Sequence, residues 1–213
     1  GTTSVGQGMA YLEGTGVIVL SHTFHFDWHK YWNHIIDPEN GNIISIIKRG
    51  RTPFGDSTHK ISIGTLRTGA AVAIGAKYLA KENVETIGII GTGRIGKASL
   101  LCLSKVRDFG KVFSHSGRRQ DFQFASDMSN LIGVHIVAAE NPREVVKKAD
   151  ILVTATYATE PIVEGKWLNK GTHISAMGAD GPLKMEFDGE TFKHSNKIVI
   201  DGEKCLKIKE IAE

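Results

Sequence analysis

The sequence predicts an α/β fold: a doubly wound parallel sheet with a smaller, mostly β region ahead of it. Three observations carry this. Val84 to Leu101 reads as a strand, a glycine turn and a helix. After it, short β-branched runs alternate regularly with helix-compatible segments. Before about residue 64, β-branched and aromatic runs dominate, with turn residues between them.

Ile87-Gly88-Ile89-Ile90 is short enough to be a buried strand. It meets Gly91-Thr92-Gly93-Arg94-Ile95-Gly96, and a helix-compatible run starts at Lys97. The spacing is G-x-G-x-x-G in a strand-turn-helix context. Gly91 permits the tight turn, Gly93 leaves room for a pyrophosphate, and Gly96 lets the helix lie close on the strand. The helix's free N–H groups and positive dipole end then face the phosphates. This is the pattern of a Rossmann dinucleotide site, and Gly91, Thr92, Gly93, Arg94, Ile95 and Gly96 are its candidate cofactor-binding residues.

The 213 residues are 41% hydrophobic and 23% charged, with a net charge of +3. These values fit an ordinary globular chain. Lys and Arg are scattered, so no nucleic-acid stripe is expected. No apolar run approaches the ~18 residues of a membrane span, and none reads as a signal peptide. Cys102 and Cys205 show no metal spacing and are expected to be reduced, buried thiols in a cytoplasmic protein.

In chain order, residues 1–16 begin loosely with several glycines, and Val17 to Leu20 reads as a strand. From Ser21 to His34, Phe24, Phe26, Trp28 and Trp32 alternate with His25, Asp27, His29 and Tyr31. Period two predicts a strand with an aromatic face and a polar face. Neighbours along such a face are too far apart for His25, Asp27 and His29 to share one ion, so no metal site is assigned. Residues 37–42 carry Pro and Asn-Gly between β-branched runs and predict a hairpin. Lys48 to Arg51 reads as a solvated strand end, and Thr52 to Lys60 as a loop.

From Thr65 the period becomes helical, through Leu66, Ala70, Ala73, Ile74, Lys77 and Tyr78. Residues 1–64 therefore form one domain, 65–83 a connecting helix and 84–213 the Rossmann domain. Past the glycine turn, strands are predicted at Val112-Phe113, 134–137, 151–153, 172–176 and 197–200. Helices are predicted at 120–131 and 142–148. Right-handed crossovers between parallel strands place a ligand at the strands' C-terminal ends.

A ribose-reading acid would sit at the end of the second strand, about 20 residues past the glycines. Ser114-His115-Ser116-Gly117-Arg118-Arg119 stands there, with no Asp or Glu. Ser and Arg can bind and neutralise a 2′-phosphate that a carboxylate would repel. Ser114, Ser116, Arg118 and Arg119 thus point to NADP(H) over NAD(H). Asp121 lies too far into the next helix to read a ribose.

Several stretches resemble the ornithine cyclodeaminase and mu-crystallin family: Thr65-Leu66-Arg67-Thr68-Gly69-Ala70-Ala71, the glycine turn, Ala149 to Thr156, His173 to Glu186 and Ile198 to Asp201. Their order and spacing agree from Thr65 onward. The resemblance implies an α/β substrate and dimerisation domain packed on a Rossmann domain, in a homodimer. The N-terminal domain of this chain would be an incomplete version of it. Activities in the family include ornithine or lysine cyclodeamination, amino-acid dehydrogenation and cyclic ketimine reduction, joined by hydride transfer between an amino-acid Cα and nicotinamide. One branch binds thyroid hormone.

Carried over residue by residue, the resemblance implies that Arg67 binds the substrate carboxylate and Asp180 is the general acid/base. Met177 and Lys184 would approach the cofactor, and Thr154, Ala155 and Thr156 would line it. The position near Ile18, where the resemblance implies a substrate-gripping lysine, is apolar, and no spacing assigns Lys30, Lys48 or Arg49 to that role. The leading expectation is an oxidoreductase or cyclodeaminase acting on an amino acid or imino acid, with no nucleic-acid or membrane partner. The alternative is a non-catalytic protein holding NADP(H) and an amphipathic ligand against Phe24 to Trp32. A shikimate-dehydrogenase-like enzyme fits the Arg67 and Asp180 segments less well.

Overall fold

A computed structural model describes residues 6–12, 17–23, 31–36, 39, 43–48, 63–117, 121–179, 181, 183–200, 202–208 and 211. The chain divides into two compact units, Gly1–Ile63 and Gly64–Glu213.

The first unit holds an antiparallel sheet of β1 (Gly6–Leu12), β2 (Val17–Thr23), β3 (Tyr31–Ile36) and β4 (Ile43–Lys48), paired in chain order. β1 corrects the expectation of a loose start. Its glycines disfavour a strand locally, but β2 pairs with it along its whole length, from Gly6 opposite Thr23 to Leu12 opposite Val17. The Ser21 to His34 segment is not one strand. Ser21 pairs with Asn33 and Thr23 with Tyr31, antiparallel, so the chain reverses inside the segment. Period-two patterning runs on through such a reversal and does not reveal it. Residues 24–30, with most of the aromatic and histidine candidates, lie outside the described residues. The expected β3–β4 hairpin is present, with a register shift at Ile35/Ile36.

α1 (Ile63–Leu79) starts at the last residue of the first unit and belongs to the second from Gly64 on. A five-stranded parallel sheet follows, built from β5 (Thr86–Ile90), β6 (Lys111–His115), β7 (His135–Ala138), β8 (Ile151–Thr154) and β9 (His173–Ala176). Its spatial order is β7-β6-β5-β8-β9. Numbered within the unit, that is 3-2-1-4-5, the Rossmann order, with its reversal beside β5. The helices between strands are α2 (Arg94–Leu103), α3 (Asp121–Ile132) and α4 (Pro142–Lys148), and α5 (Gly189–Lys193) follows the sheet.

The core explains why these strands read as unbroken apolar runs: both faces of the sheet are covered. Ile87, Ile89, Val112, Ile151 and Val153 pack with Val72 and Ala76 of α1, Leu100 of α2, and Phe124 and Met128 of α3. Ile90, Phe113 and Leu152 point the other way and pack with Val145 and Val146 of α4 and with Val163 and Phe187. The two sets alternate along each strand, as a pleated sheet requires. Local signals set the ends of α4. Asn141 accepts a hydrogen bond from the Glu144 N–H, Pro142 opens the first turn, and Lys147 and Lys148 close the last.

The expected strand at 197–200 is absent. Ile198 and Val199 are 54% and 60% exposed, and no strand of the described residues pairs with them. β-branched residues favour a strand only where a pleated surface covers them. Cys102 and Cys205 are half-buried rather than buried.

Candidate functional site

Gly91 ends β5 with φ at 101°, the left-handed region that favours glycine. Its N–H donates to the His115 carbonyl at 2.9 Å, at the end of β6. A Cβ on Gly91 would overlap the Ala155 carbonyl oxygen, and one on Gly96 would overlap the Gly91 carbonyl oxygen. Turn, helix and neighbouring loop therefore meet at backbone-to-backbone distance. Gly93 differs: nothing lies within 4 Å of the place its Cβ would take.

α2 starts at Arg94, three residues earlier than the sequence suggested, so Gly96 lies in its first turn. The N-cap is Gly93, with no side-chain cap and no acidic residue in the first turn. The helix thus presents its leading N–H groups and positive end toward the open space over Gly93, with no carboxylate to oppose an anion. Thr92 is buried, whereas Gly93 and Arg94 are exposed and Ile95 is half-buried. These residues fit a dinucleotide's diphosphate.

The next wall is the loop after β8. Thr154 is fully buried and Ala155 and Thr156 are half-buried. The Ala155 N–H donates to the Ile90 carbonyl at 2.8 Å, which ties the loop to β5 beside the glycine turn. The two threonine hydroxyls turn away to Glu186, a residue given no role from the sequence. Glu186 is fully buried. Its Oε1 accepts from the Thr156 N–H at 2.8 Å and the Thr156 hydroxyl at 2.7 Å. Its Oε2 accepts from the Thr154 hydroxyl at 2.6 Å and the Gly178 N–H at 2.9 Å. One signal was available: Glu186 is a single charge between Met185 and Phe187, which are both buried.

The loop after β9 is the third wall. Met177 donates its N–H to the Thr154 carbonyl at 2.8 Å and packs on the main core. Lys184 is half-buried, its ammonium 4.6 Å from the centre of the exposed Tyr157 ring, a cation–π contact between the second and third walls. Asp180 lies outside the described residues. Arg67 is an exposed residue of α1. Its helix packs closely on α2, because a Cβ on Gly69 would stand 2.6 Å from the Ala98 carbonyl carbon.

At the end of β6, Ser114 is fully buried with an unpartnered hydroxyl, and Ser116 is half-buried. Arg118 and Arg119 lie outside the described residues. Asp121 corrects one expectation: it is the first residue of α3, not a residue well inside it. It is 8% exposed, and its Oδ1 is buried without a hydrogen-bond partner.

Lys97 follows the glycine turn with its side chain only 7% exposed, 2.9 Å from Asp127 of α3. This pair joins the helix that starts at the turn to the helix that follows β6. The described residues contain no cluster of three or more His, Cys, Asp or Glu side chains that could hold a metal ion. No helix among them is long and apolar enough to cross a membrane.

Sheet order, glycine turn and uncapped helix define an α/β protein of the Rossmann class. The chain belongs to the ornithine cyclodeaminase/mu-crystallin family, whose profile its residues 56–211 match. It is 40% identical over 146 residues to the alanine dehydrogenase of Archaeoglobus fulgidus, a match covering 68% of this chain and 44% of that protein. It is 34% identical over 141 residues to a Delta(1)-pyrroline-2-carboxylate reductase of Bacillus cereus, covering 66% and 43%. Among solved structures it is similar to the Thermococcus litoralis Delta(1)-pyrroline-2-carboxylate reductase in complex with NADH and L-proline. There the TM-score is 0.66 and the identity 27%, over 91% of this chain and 64% of that one. In both matches the aligned stretch spans less than half the length of the curated relative.

Proposed function

We propose that the chain carries the cofactor domain of an NAD(P)-dependent oxidoreductase or cyclodeaminase acting on an amino acid or its imine. The observation that carries this reading is the open, uncapped start of α2 at Gly93, where a diphosphate finds donors and space. The family relatives named as dehydrogenase and reductase support it.

A bound nicotinamide would donate or accept a hydride at the substrate carbon. The chain's own residues would orient and exclude. Gly91 to Gly96 would hold the diphosphate, and Ala155 and Met177 would border the nicotinamide side. Arg67 would take the substrate carboxylate with its guanidinium fork. Asp180 would hold or deliver the proton at the substrate nitrogen, or on an attacking water in a cyclodeaminase. In the same reading, residues 1–64 belong to a partial substrate and dimerisation domain, 65–83 connect, 84–213 bind the cofactor, and two copies form a homodimer.

We favour NADP(H), because no carboxylate stands between Lys111 and Arg119 to repel a 2′-phosphate. One observation supports NAD(H) instead: the unpartnered carboxylate oxygen of Asp121 at the start of α3. The test has two arms. NADPH and NADH are titrated against nicotinamide fluorescence. Oxidation of the preferred one is then followed with 2-oxo acids plus ammonia or methylamine, and with cyclic imino acids. Turnover lost in Asp180→Asn supports the enzyme. Tight binding with no turnover on any substrate favours a non-catalytic NADP(H) and small-ligand carrier.

A further inference from the structure

We infer that Glu186 is a positioning residue: its buried carboxylate sets the two cofactor-facing loops, after β8 and after β9, against the glycine turn. The inference rests on the dinucleotide site proposed above and assigns this residue a part in it.

The contacts form one continuous series. Gly91 abuts the Ala155 carbonyl. Ala155 stands between Thr154 and Thr156, and both of these bind Glu186. Glu186 in turn binds the Gly178 N–H, two residues before Asp180. A Cβ on Gly178 would overlap the Glu186 carboxylate, so the loop after β9 comes this close only because residue 178 has no side chain. The Glu186 segment is itself anchored. Its carbonyl accepts from the Ile162 and Val163 N–H groups at 2.9 and 3.0 Å, and the Met185 N–H donates to Ala158 at 2.9 Å. The carboxylate thus stands on a fixed base and reaches two loops.

The chemistry requires a carboxylate rather than an amide. Each oxygen faces one backbone N–H, Thr156 on Oε1 and Gly178 on Oε2. A hydroxyl can rotate to accept, but a backbone N–H can only donate. A glutamine can therefore accept from only one of the two backbone N–H groups. Whichever way its amide is turned, the NH₂ group meets a backbone donor. Glu186→Gln keeps the shape of the side chain and loses the backbone N–H contact to one of the two loops.

The test measures NADPH affinity by nicotinamide fluorescence, and Tm without ligand, for the full chain and for Glu186→Gln, Thr156→Val and Thr156→Ser. Glu186→Gln should weaken NADPH at least about tenfold at a temperature where it is fully folded, the scale of one lost charge-assisted hydrogen bond. Thr156→Val should weaken it about threefold, and Thr156→Ser, which keeps the hydroxyl, should recover most of that loss. If Glu186→Gln does not fold, the Val and Ser pair decides. A lowered Tm with wild-type affinity in both Glu186→Gln and Thr156→Val would overturn the inference and leave the dinucleotide site standing. An unsubstituted chain that binds neither NADPH nor NADH would overturn both.

Discussion

The carbonyl oxygen of Ala155 occupies the space that a side chain on Gly91 would need. The turn after β5 and the loop after β8 therefore fit each other only with glycine at this position, where φ is also 101°. Gly91→Ala combines an unfavourable backbone conformation with a backbone clash. It should cost about 2–4 kcal/mol of stability and remove dinucleotide binding. Thermal unfolding and a fluorescence titration check the two effects separately.

Gly93 predicts the opposite combination. Its φ is −78° and the space beside it is open, so Gly93→Ala should change stability by only about 0.5 kcal/mol. The same methyl would project into the space a diphosphate needs. NADPH affinity should fall about tenfold or more while Tm hardly moves. Equal loss of both would mean that Gly93 serves the fold rather than the ligand.

Asp150 ties the start of the sheet together, accepting from the Glu85 and Thr86 N–H groups at 2.8 and 2.9 Å and pairing with Lys81. Burial raises its pKa, but the Lys81 ammonium and the two backbone donors outweigh that and hold the carboxyl below its ordinary value. A group depressed on folding stabilises above its unfolded pKa of about 3.9 and loses that contribution as pH falls through the folded value. Asp150→Asn should lower Tm at pH 7 and also reduce the drop in Tm below about pH 4. An acid limb of unchanged steepness would contradict this assignment.

The Lys97 and Asp127 pair should respond asymmetrically. The lysine is nearly buried, whereas Asp127 keeps 35% exposure. Asp127→Ala strands a buried ammonium and should cost about 2–4 kcal/mol, whereas Lys97→Met keeps the packing and removes the charge, and should cost less. Denaturant unfolding of both variants decides it. Equal costs would mean that water already compensates Lys97.

The sequence showed the Rossmann-like α/β unit clearly, because its signals are local. Ile87 to Gly96 contains a strand, a turn and the start of a helix within ten residues, and helices separate β5, β6, β7 and β8 in turn. Where signals were non-local it showed less. The glycines of β1 become a strand only through pairing with β2, and the Ser21 to His34 alternation conceals a reversal that the register reveals. Ile198 to Ile200 has strand composition but no covering surface. Glu186 was hidden for the same reason. Its donors stand 30 and 32 residues before it and 8 residues before it, and no short motif encloses that spacing. Asp180 and Arg67 became candidates chiefly through the family resemblance.

The choice of cofactor tests the end of β6. NADPH should bind at least about tenfold tighter than NADH. Replacing Arg118 and Arg119 with alanine should weaken NADPH and spare NADH. A preference for NADH, lost in Asp121→Asn, would reassign that region to ribose recognition.

The central claim is that the open start of α2 at Gly93 receives a dinucleotide diphosphate. The direct measurement is a titration of the full chain with NADPH and NADH, repeated with Gly93→Asp, whose carboxylate would stand where the phosphates belong. The account predicts saturable binding of at least one dinucleotide and its loss in the variant, with Tm changed little. Binding that survives in Gly93→Asp, or no binding by the unsubstituted chain, would contradict it.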